Sequence, residues 1–227
     1  MFFGALSIFR RPVAIQPLKR LAALVESDCT LCGASGEGEV CAACVQSLDR
    51  AGGPGMRAGL RHVEEIACVF AYRFPLDALL RKFKYGGDLV VGRWLASALA
   101  DRVCEAPRPD LIVVPPSTRA RLRERGFNPA LEIASVVARR CGAPLDRAAV
   151  ARLRQDAPQA GLSRSRRLRN LRDTFTCTRR LDGLHVTIVD DVITTGATAE
   201  AIARVLKAAG AAHVHLWAVA RTPPPGA

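Results

Sequence analysis

The sequence predicts an α/β protein: a central parallel sheet flanked by helices, with a small four-cysteine module ahead of it. Three observations carry that prediction. From His62 onward, short β-branched runs alternate with Ala-, Leu- and Arg-rich stretches of helical period, the pattern of strands joined by crossover helices. Four of the eight cysteines, Cys29, Cys32, Cys41 and Cys44, fall within sixteen residues. At 227 residues and 49% hydrophobic composition, the chain is long enough for one well-buried domain plus an appendage and short for two full domains.

Taken in order, residues 1–27 begin apolar and place Arg10 and Arg11 after the apolar start, the reverse of a secretory signal; a weakly amphipathic helix is expected there. Residues 28–50 form the cysteine module. Residues 51–62, opening with Ala51-Gly52-Gly53-Pro54-Gly55, read as a linker. The main domain spans 63–222, and 223–227 is a Pro-rich tail. Strands are predicted at Ile66–Tyr72, Leu111–Val114, Thr174–Cys177, Val186–Val189 and His213–Val219. Helices are predicted at Leu76–Arg81, Leu89–Val103, Pro129–Arg140 and Ala197–Ala209, the last stopping at Gly210. No internal repeat is present, and no uncharged apolar run approaches the ~20 residues of a membrane-spanning helix, so a cytoplasmic chain is expected.

Charge narrows the partners. Thirty-three Lys and Arg against 21 Asp and Glu leave a formal charge of +12. The basic residues cluster at Arg119–Arg125 and Arg164–Arg172, which favours a phosphate-rich ligand, with a solvated basic face or a nucleic-acid patch as the alternatives.

The pattern Cys29-x2-Cys32-x8-Cys41-x2-Cys44 supplies two short chelating turns, the arrangement in which four thiolates close tetrahedrally around zinc. Four protein ligands leave no open position, so the ion would be structural. Disulfides are the alternative and are rare in the cytosol. Cys68, Cys104, Cys141 and Cys177 stand singly in the predicted core and read as small apolar residues.

The most informative segment is Val189-Asp190-Asp191-Val192-Ile193-Thr194-Thr195-Gly196-Ala197-Thr198. An apolar strand runs into two carboxylates, a Thr-rich turn and a helix. Free backbone N–H groups and the macrodipole at a helix start make a phosphate site. Thr194, Thr195 and Thr198 add hydroxyl donors, and Gly196 lets a phosphate approach the backbone. Asp190 and Asp191 accept hydrogen bonds and suit a cis-diol such as ribose; side by side they repel unless hydroxyls or a cation stand near. A P-loop would need Gly-Lys-Ser or Gly-Lys-Thr and a Rossmann turn Gly-x-Gly-x-x-Gly, and this turn has neither. The plain structural reading is an acidic strand end followed by a Thr N-cap.

This loop resembles the motif by which type I phosphoribosyltransferases bind 5-phosphoribosyl 1-pyrophosphate (PRPP). The chain is identified as a member of the ComF (competence protein F, GntX-like) family on four landmarks covering about residues 28–222. These are the cysteine pairs followed by Lys82-Phe83-Lys84-Tyr85-Gly86; Pro116 to Asn128 with Arg121-Leu122-Arg123-Glu124-Arg125-Gly126-Phe127-Asn128; Arg152, Arg154, Gln159, Leu162, Arg167 and Asn170 leading to Phe175; and the Asp190 to Thr198 loop.

The resemblance implies the type I phosphoribosyltransferase fold and a set of roles. PRPP, carried with Mg²⁺, lies on Asp190, Asp191, Thr194, Thr195, Gly196, Ala197 and Thr198. Pyrophosphate lies on Pro116, Ser117, Arg119, Arg121 and Arg125. Residues 155–170 form a loop closing over the site, with Arg154, Gln159, Arg167 and Asn170 as its marked positions, and Asp190, Asp191 and Arg167 are the catalytic set. Arg73, Lys84 and Tyr85 are candidates to line the acceptor side. Three residues depart from the family pattern: Pro115 stands where Val is expected, Pro129 where Gln is, and Asp156 where Thr is. Pro129 suits the first turn of a helix, whereas Asp156 brings negative charge near a pyrophosphate site. Two functions follow. The first is a phosphoribosyl transfer that releases pyrophosphate. The alternative, implied by the family's link to competence, is a protein that binds PRPP without turnover and engages single-stranded DNA and DNA-uptake proteins, with Phe83, Tyr85 and Phe127 as the aromatic groups beside basic residues.

Overall fold

A computed structural model describes residues 28–35, 38–51, 56–57, 59–153 and 174–223. Its elements in chain order are α1 (Ala42–Gln46), β1 (Met56–Arg57), β2 (Glu65–Ala71), α2 (Leu76–Gly86), α3 (Leu89–Val103), β3 (Leu111–Val113), α4 (Arg119–Arg125), α5 (Pro129–Cys141), β4 (Leu145–Asp146), β5 (Val150–Arg152), β6 (Phe175–Cys177), β7 (His185–Ile193), α6 (Ala197–Ala208) and β8 (His213–Arg221).

Six strands form the sheet in the order β1-β2-β8-β7-β3-β4. Five run parallel, and β1 pairs antiparallel with β2 at the edge. Because both faces are covered, alternate residues of one strand feed different cores. Val189, Trp217 and Val219 pack with α2, α3 and α5 on one side, while Val186, Ile188, Val214 and Leu216 pack against α6 on the other. β5 and β6 pair separately as a two-stranded antiparallel ribbon.

Several elements run past or fall outside their predicted bounds. β7 continues through Asp190 and Asp191 to Ile193, held in register by β8 through Asp190 opposite Ala218 and Val192 opposite Ala220. α2 takes in the whole of Lys82-Phe83-Lys84-Tyr85-Gly86, and the arginine-rich run Arg119–Arg125 is itself the helix α4. Part of the stretch read as a linker supplies β1. Residues 1–27, the closing loop and the end of the tail (224–227) lie outside the described residues. Among the described residues no helix is long and apolar enough to cross a membrane.

The cysteine module is packed onto the domain. Cys29, Val40 and Leu48 are buried in the same cluster as Phe70, Leu76 and Phe83. Residues 49–51 continue beside β2, with Ala51 N–H donating to the Val69 carbonyl at 3.0 Å and Ala71 N–H to the Asp49 carbonyl at 2.9 Å. Lys82 Nζ donates to the Thr30 carbonyl at 2.8 Å.

One reading is corrected. Cys104 and Cys141 are joined by a disulfide and are not the single apolar residues their isolation in sequence suggests. α3 and α5 pack side by side, also tied by Arg140 to Asp101 at 2.6 Å, and this brings two cysteines 37 residues apart to a Cα separation of 4.9 Å. Cys68 is buried and free, and Cys177 is free and half-buried.

The packing of α2 on α3 is tightest at Gly92, where an added Cβ would stand 2.4 Å from the fully buried Phe83 ring. Gly92→Ala should therefore lower stability by about 1–3 kcal/mol through overpacking, despite alanine's better helix propensity. A urea midpoint equal to the parent's would show that Phe83 has room to move.

Candidate functional site

The C-terminal ends of β7 and β3 open onto a cavity of about 340 Å³ whose polar wall comes from four directions. β7 brings Asp190 and Asp191, and the turn and helix after it bring Thr194 and Thr198. The loop after β3 brings Pro115, Pro116 and Ser117, and α4 brings Arg121 and Arg125. α2 brings Lys84, and β5 brings Arg152.

Local sequence explains this placement. Thr118 caps α4, its Oγ1 accepting from Arg121 N–H at 3.2 Å, so the arginine run winds as a helix whose Arg121 and Arg125, four residues apart, share a face. Asn128 caps α5, accepting from Ala130 N–H at 3.2 Å while its Nδ2 donates to the Pro115 carbonyl at 3.0 Å. Asn128 thus ties the two loops together, and Pro115 contributes a carbonyl, which any residue would supply. Pro129 occupies the first turn of α5, where its missing N–H costs nothing.

The Thr-rich turn forms its own small annex of about 50 Å³, lined by residues 190 and 192–199. Gly196 has φ +75°, a conformation other L-residues rarely adopt, and is the N-cap of α6. Leu60 lies against it, 3.1 Å from where a Cβ would be. The segment carrying Leu60 is fastened to α6 by His62, whose backbone N–H donates to Glu200 at 3.2 Å and whose Nδ1 lies 2.6 Å from the same carboxylate.

Electrostatics divide the acidic pair. Desolvation and the neighbouring Asp191 charge push the Asp190 carboxyl up from 3.8 to about 7, against the pull of Asp191 N–H, Lys84 and Arg121. Asp191 is paired instead, its Oδ1 lying 3.0 Å from Lys84 Nζ, with both side chains largely buried. On the opposite wall, Arg125 stacks 4.6 Å over the Tyr85 ring, and its Nη2 donates to the Tyr85 hydroxyl at 2.9 Å.

Of the residues expected to line a ligand site, Asp190, Asp191, Thr194, Thr198, Pro116, Ser117, Arg121 and Arg125 meet at the main cavity, and Thr195, Gly196 and Ala197 line its annex. Arg119 does not line either and is exposed. Arg73 turns away to Asp49 at 3.4 Å, and Tyr85 reaches the site only through Arg125. Arg154, Gln159, Arg167, Asn170 and Asp156 lie outside the described residues. Sequence reasoning gave Tyr72 and Arg152 no site role, although both line the cavity. Arg152 had a signal, since it opens the third landmark.

At the cysteine cluster the four Sγ atoms lie within 4.8 Å of one another, and Cys32 and Cys41 sulfurs are 3.7 Å apart. A zinc tetrahedron with bonds of about 2.3 Å has edges of about 3.8 Å. Burial opposes ionisation of Cys29, but the backbone N–H groups of Cys41, Cys32 and Leu31 outweigh it and draw the thiol down to about 6. Cys44, hydrogen-bonded to Cys32 and crowded by the other sulfurs, is pushed up to about 12. Four thiolates cannot coexist there without a cation, so the cluster suits a metal ion.

A parallel sheet carrying this strand–acidic pair–Thr turn–helix at its C-terminal edge defines a domain of the phosphoribosyltransferase type, and the family model for the phosphoribosyl transferase domain matches residues 122–224. DNA utilization protein YhgH of Salmonella typhi is 35% identical over 165 residues, covering 70% of this chain and 73% of that protein. Competence protein F of Haemophilus influenzae is 29% identical over 167 residues, with the same coverage. The chain belongs to this competence protein F (ComF) family. Among solved structures, the glutamine PRPP amidotransferase from B. subtilis aligns with 61% of this chain and 30% of its own at 21% identity and a TM-score of 0.43.

Folding favours the protonated form of Asp190, so its contribution to stability is lost as pH climbs from about 3.8 toward about 7. Asp190→Asn carries no such loss. The variant should match the parent near pH 4 and become progressively more stable than it up to pH 7, as read from urea midpoints across that range; a constant difference would place Asp190 in an ordinary environment.

Proposed function

We propose that this chain binds PRPP in the cavity at the ends of β3 and β7 and transfers its phosphoribosyl group to an acceptor with release of pyrophosphate. The observation that carries the reading is the convergence on one cavity of a Thr-rich helix start, an acidic pair and a two-arginine helix face, which suit in turn the 5-phosphate, the ribose diol and the pyrophosphate of PRPP.

The 5-phosphate suits the start of α6, where the backbone N–H groups of the first turn, the Thr194, Thr195 and Thr198 hydroxyls and the close approach allowed by Gly196 all favour an anion. The ribose diol suits Asp190 and Asp191 as acceptors. The pyrophosphate suits Ser117, Arg121 and Arg125, with Arg152 across the cavity. As the bond from C1 to pyrophosphate breaks, positive charge grows on the ribose and negative charge on the leaving group. Carboxylates on one side and guanidinium groups on the other stabilise that separation without reorganising. Mg²⁺ arriving with PRPP would neutralise part of the pyrophosphate charge. The four cysteines Cys29, Cys32, Cys41 and Cys44 would hold zinc as a structural ion bracing α2.

The names of the relatives, DNA utilization protein and competence protein, favour a second reading, in which the same basic groove takes single-stranded DNA.

Incubated with Mg²⁺, PRPP and a panel of bases and amines, the protein should release pyrophosphate with one acceptor class. Asp190→Ala/Asp191→Ala should lower that rate at least about a hundredfold. No release above the double variant from any acceptor would remove the transferase reading, and salt-dependent anisotropy with labelled single-stranded DNA would then support the second. Separately, the purified chain should carry one zinc by elemental analysis, and Cys32→Ser should lose it together with a lowered thermal midpoint. An unchanged midpoint would overturn the bracing role.

A further inference from the structure

Lys84, which the sequence marks only as a candidate for the acceptor side, is the one cation among the described residues that forms an ion pair with the acidic pair. It lies in the last turn of α2, beside the fully buried Phe83, which packs on Phe127 at 5.3 Å between ring centres. The next residue, Tyr85, clasps Arg125 of α4. These contacts fix the end of α2 over β7, and Lys84 meets Asp191 at 3.0 Å with side-chain exposures of 16% and 15%. Among the described residues Asp191 is its one ion-pair partner, and Asp190 has none. The other charged groups facing the pair are Arg121 and Arg125 of α4 and Arg152 of β5, all on the cavity wall.

Two adjacent carboxylates in a partly desolvated pocket repel, and a divalent cation is the usual remedy. Here an ammonium on a flexible four-carbon stem holds the position, able to follow Asp191 as a ligand enters. The rise of the Asp190 carboxyl to about 7, through desolvation and the neighbouring Asp191 charge, reflects the same repulsion.

We propose that Lys84 is a positioning residue of the site, a built-in counter-ion that takes the place of a divalent cation on the acidic pair and holds Asp191 as the anion that meets the ligand's diol. The inference rests on the PRPP reading for the identity of that ligand, but not for the counter-ion itself. It follows that the pair should recruit no metal of its own, and that any Mg²⁺ in the site should be the ion PRPP carries.

The test uses the zinc-loaded full chain and three variants: Lys84→Met, Lys84→Gln and Lys84→Arg. Mn²⁺ is titrated without PRPP and followed by electron paramagnetic resonance. The parent and Lys84→Arg should leave the free Mn²⁺ signal undiminished. Lys84→Met should capture one ion per chain, and adding Asp191→Asn should abolish the capture. Lys84→Gln retains a hydrogen-bond donor but no charge and serves the same purpose should the Met variant fail to fold. Calorimetry with Mg²⁺ and PRPP should show binding weakened at least about tenfold in the neutral variants and restored to within about threefold of the parent by Lys84→Arg. A parent that itself binds Mn²⁺ at the pair, or neutral variants that gain no ion, would overturn the counter-ion role; unchanged PRPP affinity would overturn the positioning role. Failure of the parent to bind PRPP would remove the proposed function, and the Mn²⁺ titration would still decide the counter-ion.

Discussion

Two carboxylates at the end of a buried strand are the constraint to which the rest of the site answers. β7 is paired on both sides, with β3 and β8, and its pairing with β8 persists through Asp190 to Ile193, so neither aspartate can swing away into solvent without breaking register. Successive residues of a strand point to opposite faces, yet both aspartates reach the same cavity because it lies beyond the covered part of the sheet. Charge fixed in this way must be balanced locally. Lys84 balances one carboxylate, and partial protonation relieves the other.

That balance makes the placement of α2 a requirement, and the cysteine module helps to meet it. Cys29, Val40 and Leu48 share a core with Leu76, Leu79, Leu80 and Phe83 of α2, and Lys82, two residues before Lys84, reaches back to the Thr30 carbonyl. A five-residue helix and a few turns could not hold such a surface alone, since they bury too little apolar area to offset their conformational entropy. Four sulfurs converging on one point supply the missing order if a metal joins them. The module thus braces the helix that carries Lys84.

Much of this was legible in the residues, and what was missed has physical causes. The Asp190 to Thr198 loop could be read because acidic pair, hydroxyl turn, glycine and helix each have a local reason to stand in that order. The continuation of β7 through the aspartates could not, because Asp is a poor strand former and only the partner β8 imposes the extended backbone. The run Arg119–Arg125 was read for its charge, and its helical face became visible only with the Thr118 cap; Arg119, at the exposed start, falls off that face. Cys104 and Cys141 are neighbours only because α3 and α5 pack together, which no spacing in sequence reveals. Arg73 and Tyr85 were picked by proximity along the chain, whereas Asp49 and Arg125 decide where their side chains go.

The site is not a set of bare charges. Lys84 with Asp191 and Tyr85 with Arg125 occupy, from adjacent positions on one helix, an acceptor and a donor that a phosphorylated sugar would use. An unpaired carboxylate or guanidinium in a half-buried pocket is costly, and these two contacts lower that cost. The two contacts differ in what a ligand would do to them. An anionic group would take Arg125 from the neutral Tyr85 hydroxyl, whereas a diol would share Asp191 with Lys84, which stays as its counter-ion so that no charge is stranded.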